Sequence, residues 1–332
     1  MATGTASNFK IYNEFTHSGM VETLVQMSEA FNAASRGAIR LTSVSRRGDY
    51  DYESFFANTA NLVTRRVNVG SAALADVTDL ALSQAEQVGV KLNRKIGPVA
   101  NTLDSFKKIQ KGPFNENALD FAIGVQAAKG MQIEQLNTAL LALRVALVNQ
   151  STNLFTVPSS GTMGTSGLVS GLAKYGDAAD RIAVWIMHSK VYYDLVQNQI
   201  TANIDGVSNF NIGSASPVTL NRPVLVTDSP SLAVTSGSPA VTTYYTLGLT
   251  VGAIEVEDSE ETTIARDIIT GKENLLVRMQ GEYAYNLKTK GFTWDVANGG
   301  ANPSNSAVGT ASNWDPIYGS FKDFAGVVIQ SR

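Results

Sequence analysis

The chain has 332 residues, no cysteine, 44% hydrophobic residues and only 17% charged ones, with a formal net charge of −3. That is enough apolar material for one large domain or two intimate ones. The absence of cysteine excludes disulfides and thiolate metal sites. A mildly acidic balance argues against a free DNA-binding protein, which carries a basic face or stripe. It does not argue against a wall around DNA, because a container that gripped phosphates would hinder filling and release. A charged fraction below the usual quarter points to surface covered by something, most simply a second copy of the same chain.

Residues 1–10 are small and polar, and no basic stretch leads into an apolar core, so a cleaved export signal is not expected. No apolar run is long enough to cross a bilayer. The expectation is a soluble protein made in a cytoplasm. From Tyr12 to Ala33 the spacing of Phe15, Met20, Val21, Leu24, Val25, Met27 and Phe31 predicts a helix ending at Ser35–Gly37. Ala38–Val44 reads as a strand with Ile39 and Leu41 on one side and Arg40 and Thr42 on the other. Arg46, Arg47, Asp49, Tyr50, Asp51, Tyr52, Glu53, Phe55, Phe56, Arg65 and Arg66 follow. These mix both charge signs with aromatic rings and leave little apolar surface on any one face, as in an arm that finds its partners on another molecule.

Val88, Val90 and Leu92 alternate with Gly89, Lys91 and Asn93, a period-two strand punctuated by Gly97-Pro98. Thr102–Gln110 is a short helix candidate. The longest helix is predicted over about 115–148, roughly 50 Å long at 1.5 Å per residue. Its last turns, Ala139–Val148, are apolar nearly all round and should be buried on most sides. Gly124 and Gly130 mark a bend or close packing. Beyond it come a Ser/Thr/Gly loop (151–167), a short helix (168–175) and a strand from Ile182 to Met187. A helix begins at His188-Ser189, a buried-type strand spans 223–227, and 232–243 reads as an exposed loop. Strands follow at 244–251 and 254–256. Val277, Met279, Tyr283, Tyr285 and Leu287 face one way, and Arg278, Gln280, Glu282 and Asn286 the other. Lys288–Gly291 turns the chain so that Phe292–Trp294 returns. A loop (298–306) and a terminal strand (324–329) follow, with no internal repeat.

Three stretches carry a resemblance. Tyr175-Gly176-Asp177 leads to Ile186-Met187-His188-Ser189 with Val191 and Leu195. Lys290-Gly291-Phe292-Thr293-Trp294 precedes Gly299-Gly300-Ala301-Asn302-Pro303. Asn313-Trp314 precedes Lys322. With the order of elements they resemble the major capsid proteins of tailed bacteriophages. The resemblance implies an α+β Hong Kong 97-type fold: an N-terminal arm (1–36), an extended β-hairpin loop (37–75), a peripheral domain with a spine helix (76–150), an axial α/β domain (151–263), and a return hairpin with C-terminal strand (264–332). It implies a virion shell of hexamers and pentamers around double-stranded DNA, no enzyme activity and no cofactor. Arg46 through Phe56 with Arg65 and Arg66 would contact neighbouring subunits. A portal protein, a separate scaffolding protein and, optionally, a decoration protein would be partners; the short stretch before the arm leaves no room for a fused scaffold segment. The alternatives are an encapsulin-like compartment and an α/β enzyme.

Enzyme chemistry finds little support. His17 and His188 lack metal-ligand spacing, and His188 is expected to cap a helix start or pack at a strand end. Gly161, Gly164 and Gly167 lack the lysine of a phosphate loop and read as a flexible loop. Glu255, Glu257, Asp258, Glu260 and Glu261 lack calcium-loop spacing and read as a solvated turn. Ser159 and Ser160 have no identifiable base, and no Gly-x-Ser-x-Gly motif is present.

Overall fold

A computed structural model describes residues 29, 31–43, 48–56, 62–63, 65, 79–82, 84–102, 104, 116–158, 161–206, 219–271 and 273–332. In chain order the first strands are β1 (Ile39–Ser43), β2 (Tyr50–Phe56) and β3 (Gln84–Thr102). Then come helix α1 (Glu116–Val148), β4 (Leu154–Thr156), α2 (Thr165–Ala173), β5 (Ile182–Met187) and α3 (Ser189–Gly206). Next are β6 (Val224–Val226), β7 (Ala233–Ser236), β8 (Val241–Thr250), β9 (Ile254–Ile269), β10 (Leu276–Thr289) and β11 (Phe292–Trp294). Short helices α4 (Val296–Gly299) and α5 (Asn305–Val308), then β12 (Trp314–Pro316) and β13 (Gly326–Ser331), complete the order.

Two large sheets carry the fold. One runs β1-β9-β10-β3-β2; the other runs β4-β13-β8-β5-β6, with β7 also on β8. The spine helix α1 packs against both. Ala139, Leu140, Ala142, Leu143, Val145, Ala146 and Leu147 are buried in one core with Val90, Leu92, Val256, Tyr285 and Leu287 of the first sheet. The same core takes in Val184, Ile186, Leu247, Leu249 and Val328 of the second. The near-continuous apolar surface of the last turns is therefore explained: they touch two sheets at once. Each fully buried Leu or Val there contributes about 1.5–3 kcal/mol. Gly130 shows no close packing, since a β-carbon there would meet nothing within 4 Å.

The pleat splits β5 between two cores. Val184 and Ile186 face α1, while Trp185 and Met187 face α2 and α3 with Met163, Leu168, Val191, Leu195, Val327 and Ile329. The second sheet is thus covered on both faces, as its apolar strands require. Its packing is tight. A β-carbon on Gly248 would stand 2.5 Å from the Trp185 ring, so only glycine lets the indole lie on β8.

Several expectations change. The strand with Val88–Leu92 does not stop at Gly97-Pro98 but runs to Thr102, and a register shift between Met279 and Gly281 of β10 lies opposite Pro98. A bulge is where a sheet tolerates proline. The loop over 151–167 contains β4, because Leu154–Thr156 pairs in parallel with β13. The strand over 223–227 is half-exposed rather than buried. The loop over 232–243 holds the β7–β8 hairpin, and Leu232 is fully buried. Phe292–Trp294 does not return along β10; it pairs with β12 in a separate two-stranded sheet. α4 and α5 occupy much of the 298–306 loop and its flanks. The acidic cluster is no solvated turn. It lies on β9, where Glu257 and Ser259 are buried. The short helix candidate over 102–110 and nearly all of the helix over 12–33 fall outside the described residues; its last turn, 31–34, is helical and stops where Arg36 and Gly37 adopt φ of 50° and 71°.

Candidate inter-subunit surfaces

Among the described residues β2 is an edge strand of the first sheet, paired only with β3, from Tyr50 opposite Val90 to Phe56 opposite Gln84. Alternation sorts its side chains. On one face Tyr50 packs on the core and meets Tyr52 edge-on at 6.0 Å, but Tyr52 and Phe56 lie beyond the core and stay exposed. On the other face Asp51 is buried beside Gly89, Glu53 pairs with Lys288 of β10, and Phe55 meets Tyr318 at a tilt with ring centroids 5.6 Å apart. Asp49 is exposed, and its carbonyl accepts from the Lys91 amide at 3.0 Å. Arg65 is exposed. Arg46, Arg47 and Arg66 lie outside the described residues. So the structure brings Tyr50 through Phe56 together on one strand and commits Glu53 and Phe55 to their own chain, while Tyr52 and Phe56 remain outward.

Ion pairs then tie the sheet together. Lys91 pairs with Glu260, and Arg40 with Glu255 at 3.2 Å. On the helix side Glu134 of α1 accepts from Arg94 at 2.7 Å and from Tyr285 at 2.8 Å. Gln135, one residue on, donates to Asp258 at 2.8 Å. Burial holds the Asp258 carboxyl above its ordinary range and pushes the Tyr283 and Tyr285 hydroxyls well up. These polar contacts fix the rotation of the helix over the sheet between the buried Ala128 and Met131 and the buried Ala139 and Leu140.

The three motif stretches converge on one knot between the sheets. Tyr175, fully buried, directs its hydroxyl at the carbonyls of Lys322 (2.7 Å) and Phe324 (2.8 Å). Asp177 pairs with Lys322, and Arg181 with Asp323 at 3.3 Å. Phe324 stacks on Phe292 at 4.9 Å. Trp294 meets Trp314 edge-on at 5.0 Å, and each indole N–H donates to a carbonyl, Gly300 at 3.0 Å and Val308 at 2.9 Å. Gly291, with φ of 85°, sits where a β-carbon would strike Phe324 at 2.6 Å. Residues far apart in sequence are thus the joint that fixes one sheet against the other.

A family model described as Major capsid protein 13-like matches residues 8–328. The chain belongs to that family. Among solved structures, the capsid of Ralstonia phage GP4 is 10% identical with a TM-score of 0.50, over 90% of this chain and 88% of that one. The cyanophage Pam1 capsid is 11% identical with a TM-score of 0.50, over 76% and 84%. Microbacterium phage Oxtober96 gives 14% and 0.50, over 77% and 84%. No curated protein sequence matches the chain. At these identities the structures speak for the fold, which is the Hong Kong 97-type capsid fold.

This major capsid protein builds the head shell of a tailed phage by association with its own copies. Its surface shows apolar residues that the sequence reading missed. Leu62 and Val63 are 73% and 92% exposed, and Leu80 and Leu82 are exposed as well. Their signal was available: an adjacent apolar pair and an alternating one, in a stretch with no period that would bury them. His188 caps as expected, its Nδ1 accepting from the Lys190 amide at 3.2 Å. Gly164 and Gly167 do not form a flexible loop; Gly164 caps α2, and Gly167 is buried inside it. His17, Ser159 and Ser160 lie outside the described residues. Among the described residues no group of three or more His, Asp or Glu could hold a metal ion.

Proposed function

We propose that this capsid protein joins as hexamers and pentamers into a closed icosahedral shell around double-stranded DNA, with residues 37–75 draped over a neighbouring copy. The carrying observation is the set of exposed apolar side chains in that segment, Tyr52 and Phe56 on β2, which is an edge strand among the described residues, and Leu62 and Val63 beyond it, with Leu80 and Leu82 following just after. Covering such side chains with a neighbour takes apolar surface out of water and lowers the free energy. Arg46, Arg47, Arg65 and Arg66 then select partner and register through ion pairs, each worth about 0–1 kcal/mol when exposed but repeated in every copy. The peripheral unit is the spine helix on the first sheet, and the axial unit is the second sheet with α2 and α3. Division at 263 would cut β9, and β13 sits in the second sheet beside β8, so both assignments follow the sheets rather than the chain order.

The role is structural rather than catalytic. A portal protein, a separate scaffolding protein and, optionally, a decoration protein are its partners in the head, and synthesis takes place in the host cytoplasm. Arg46→Glu with Arg47→Glu tests the reading. The expected result is a folded subunit by circular dichroism that forms no closed particles by negative-stain microscopy. Normal particles from that variant would refute the role of the segment.

A further inference from the structure

The second surface that asks for a partner lies at the joint of the two sheets and, unlike the apolar segment, is cationic. Arg40 of β1 and Lys290 after β10 flank the β8–β9 turn, and Arg181 before β5 stands close to Lys290 on the Asp323 side. Gly252 in that turn has φ of 66°, and the Arg40 guanidinium carbon lies 3.6 Å from where its β-carbon would stand. Lys290 is fixed by its own backbone, whose amide donates to the Ala253 carbonyl at 2.9 Å. Its ammonium reaches only neutral oxygens among the described residues, Thr250 Oγ1 at 3.3 Å and the Val251 carbonyl at 3.5 Å. Arg40 and Arg181 each have a carboxylate, Glu255 at 3.2 Å and Asp323 at 3.3 Å, yet their side chains stay 49% and 61% exposed. Val251, exposed at the rim, adds an apolar lip.

A half-buried ammonium beside two guanidinium groups, answered only by a hydroxyl and a carbonyl, leaves local positive charge uncompensated. Burial and the nearness of Arg181 and Arg40 hold Lys290 below the ordinary lysine range, with Asp323 acting the other way. An anion that docked there would meet a net positive charge, three cations against the Glu255 and Asp323 carboxylates, with a partly desolvated ammonium at its centre.

We propose that Lys290, with Arg40 and Arg181, is the receptor for a carboxylate side chain of a second copy of this chain, engaged on assembly. A second copy fits better than nucleic acid because the chain is itself acidic, with 29 Asp and Glu against 26 Lys and Arg, and because it builds its shell from its own copies. The proposal rests on the shell reading above.

The experiment compares acetylation of Lys290 by a water-soluble N-hydroxysuccinimide acetate in free subunits, DNA-free shells and DNA-filled shells. Each rate is read by mass spectrometry and normalised to the denatured chain. Lys290 is expected to react readily in free subunits and at least tenfold more slowly in both kinds of shell. A second arm measures the critical concentration for assembly. Lys290→Gln should raise it about fivefold to tenfold and flatten its salt dependence, with Lys174→Gln as control and an unchanged circular dichroism spectrum. Equal labelling in subunits and shells overturns the proposal. Protection confined to DNA-filled shells overturns it in favour of phosphate, and an unchanged critical concentration overturns it in favour of simple steric cover. If the natural chain forms no shells at all, the shell reading itself fails and takes the proposal with it.

Discussion

Tyr175→Phe isolates the joint between the two sheets. The substitution removes one oxygen atom and no carbon, so the core around the ring keeps its packing. What is lost is a buried hydroxyl held by two carbonyls, those of Lys322 at 2.7 Å and Phe324 at 2.8 Å. The Lys322 carbonyl keeps the Arg181 guanidinium at 3.3 Å, whereas the Phe324 carbonyl loses its side-chain donor. A buried acceptor left without a donor costs about 1–3 kcal/mol. With a urea slope of about 3 kcal/mol/M, that shifts the unfolding midpoint down by roughly 0.3–1 M. Alkali supplies an independent check. Burial pushes the Tyr175 hydroxyl up to about 12, against about 10 in an unfolded chain. Between those values the unfolded state has released the proton and the native state has not, so stability falls as pH rises. The loss from this one group is about 2–3 kcal/mol by pH 12. The phenylalanine ring of the variant has no proton to release. The natural subunit and Tyr175→Phe should therefore differ clearly at pH 8 and converge as pH climbs through 10 to 12. Tyr283 and Tyr285 add an alkaline loss of their own, but equally in both proteins. Urea titrations of unassembled subunits at several pH values measure the gap. A gap that is absent at pH 8, or constant from pH 9.5 to 11.5, would show that the hydroxyl does not hold the joint.

Other substitutions probe other parts of the fold. Leu143→Ala, in the part of α1 that touches both sheets, should cost about 2–5 kcal/mol in subunit stability by urea unfolding. Gly248→Ala drives a methyl into the Trp185 ring and should cost about 1–3 kcal/mol, with a changed Trp fluorescence spectrum. Asp258→Asn keeps the acceptor for Gln135 but removes a charge that burial disfavours. It should be neutral or stabilising at pH 7. In acid the natural carboxyl takes up its proton in the native state before the unfolded one does, so the difference should disappear as pH falls, again by urea unfolding.

The elements most legible in the sequence were those whose pattern depends on a single local rule. β5 was bounded at Ile182 and Met187, because an apolar run between a short polar lead and a helix cap admits little else. α1 was found to within a residue or so at each end because its apolar face widens into an all-round apolar cylinder. The misplaced elements depend on partners far away in sequence. β4 is three residues long and exists because β13, some 170 residues later, offers a parallel edge. β9 carries Glu255, Glu257, Asp258 and Glu260, which propensity sends to a turn; Arg40, Lys91 and Gln135 hold three of them on the sheet. No local window contains those partners. For the surfaces, composition marked the arm through its mixed charges and rings but passed over Leu62, Val63, Leu80 and Leu82, because apolar residues are read by default as core. Lys290 was seen only as part of a motif; its cationic neighbours come from β1 and the approach to β5.

The joint and the spine helix set what kind of motion the subunit permits. At its C-terminal end α1 is clamped between the sheets by interdigitated Ala, Leu and Val side chains, and such packing resists sliding because every displacement opens voids. Further towards its N-terminus Ala128 and Met131 still belong to that core, and Glu134 with Arg94 and Tyr285, and Gln135 with Asp258, add polar contacts to the first sheet. The spine is therefore held in one register by packing and by hydrogen bonds together. The joint built on Tyr175, Phe292, Trp294, Trp314 and Phe324 holds the second sheet against the first. A subunit clamped in this way has to meet neighbours at different angles through its surface segments rather than by repacking its core, which is what a closed surface made of a single polypeptide demands of every copy.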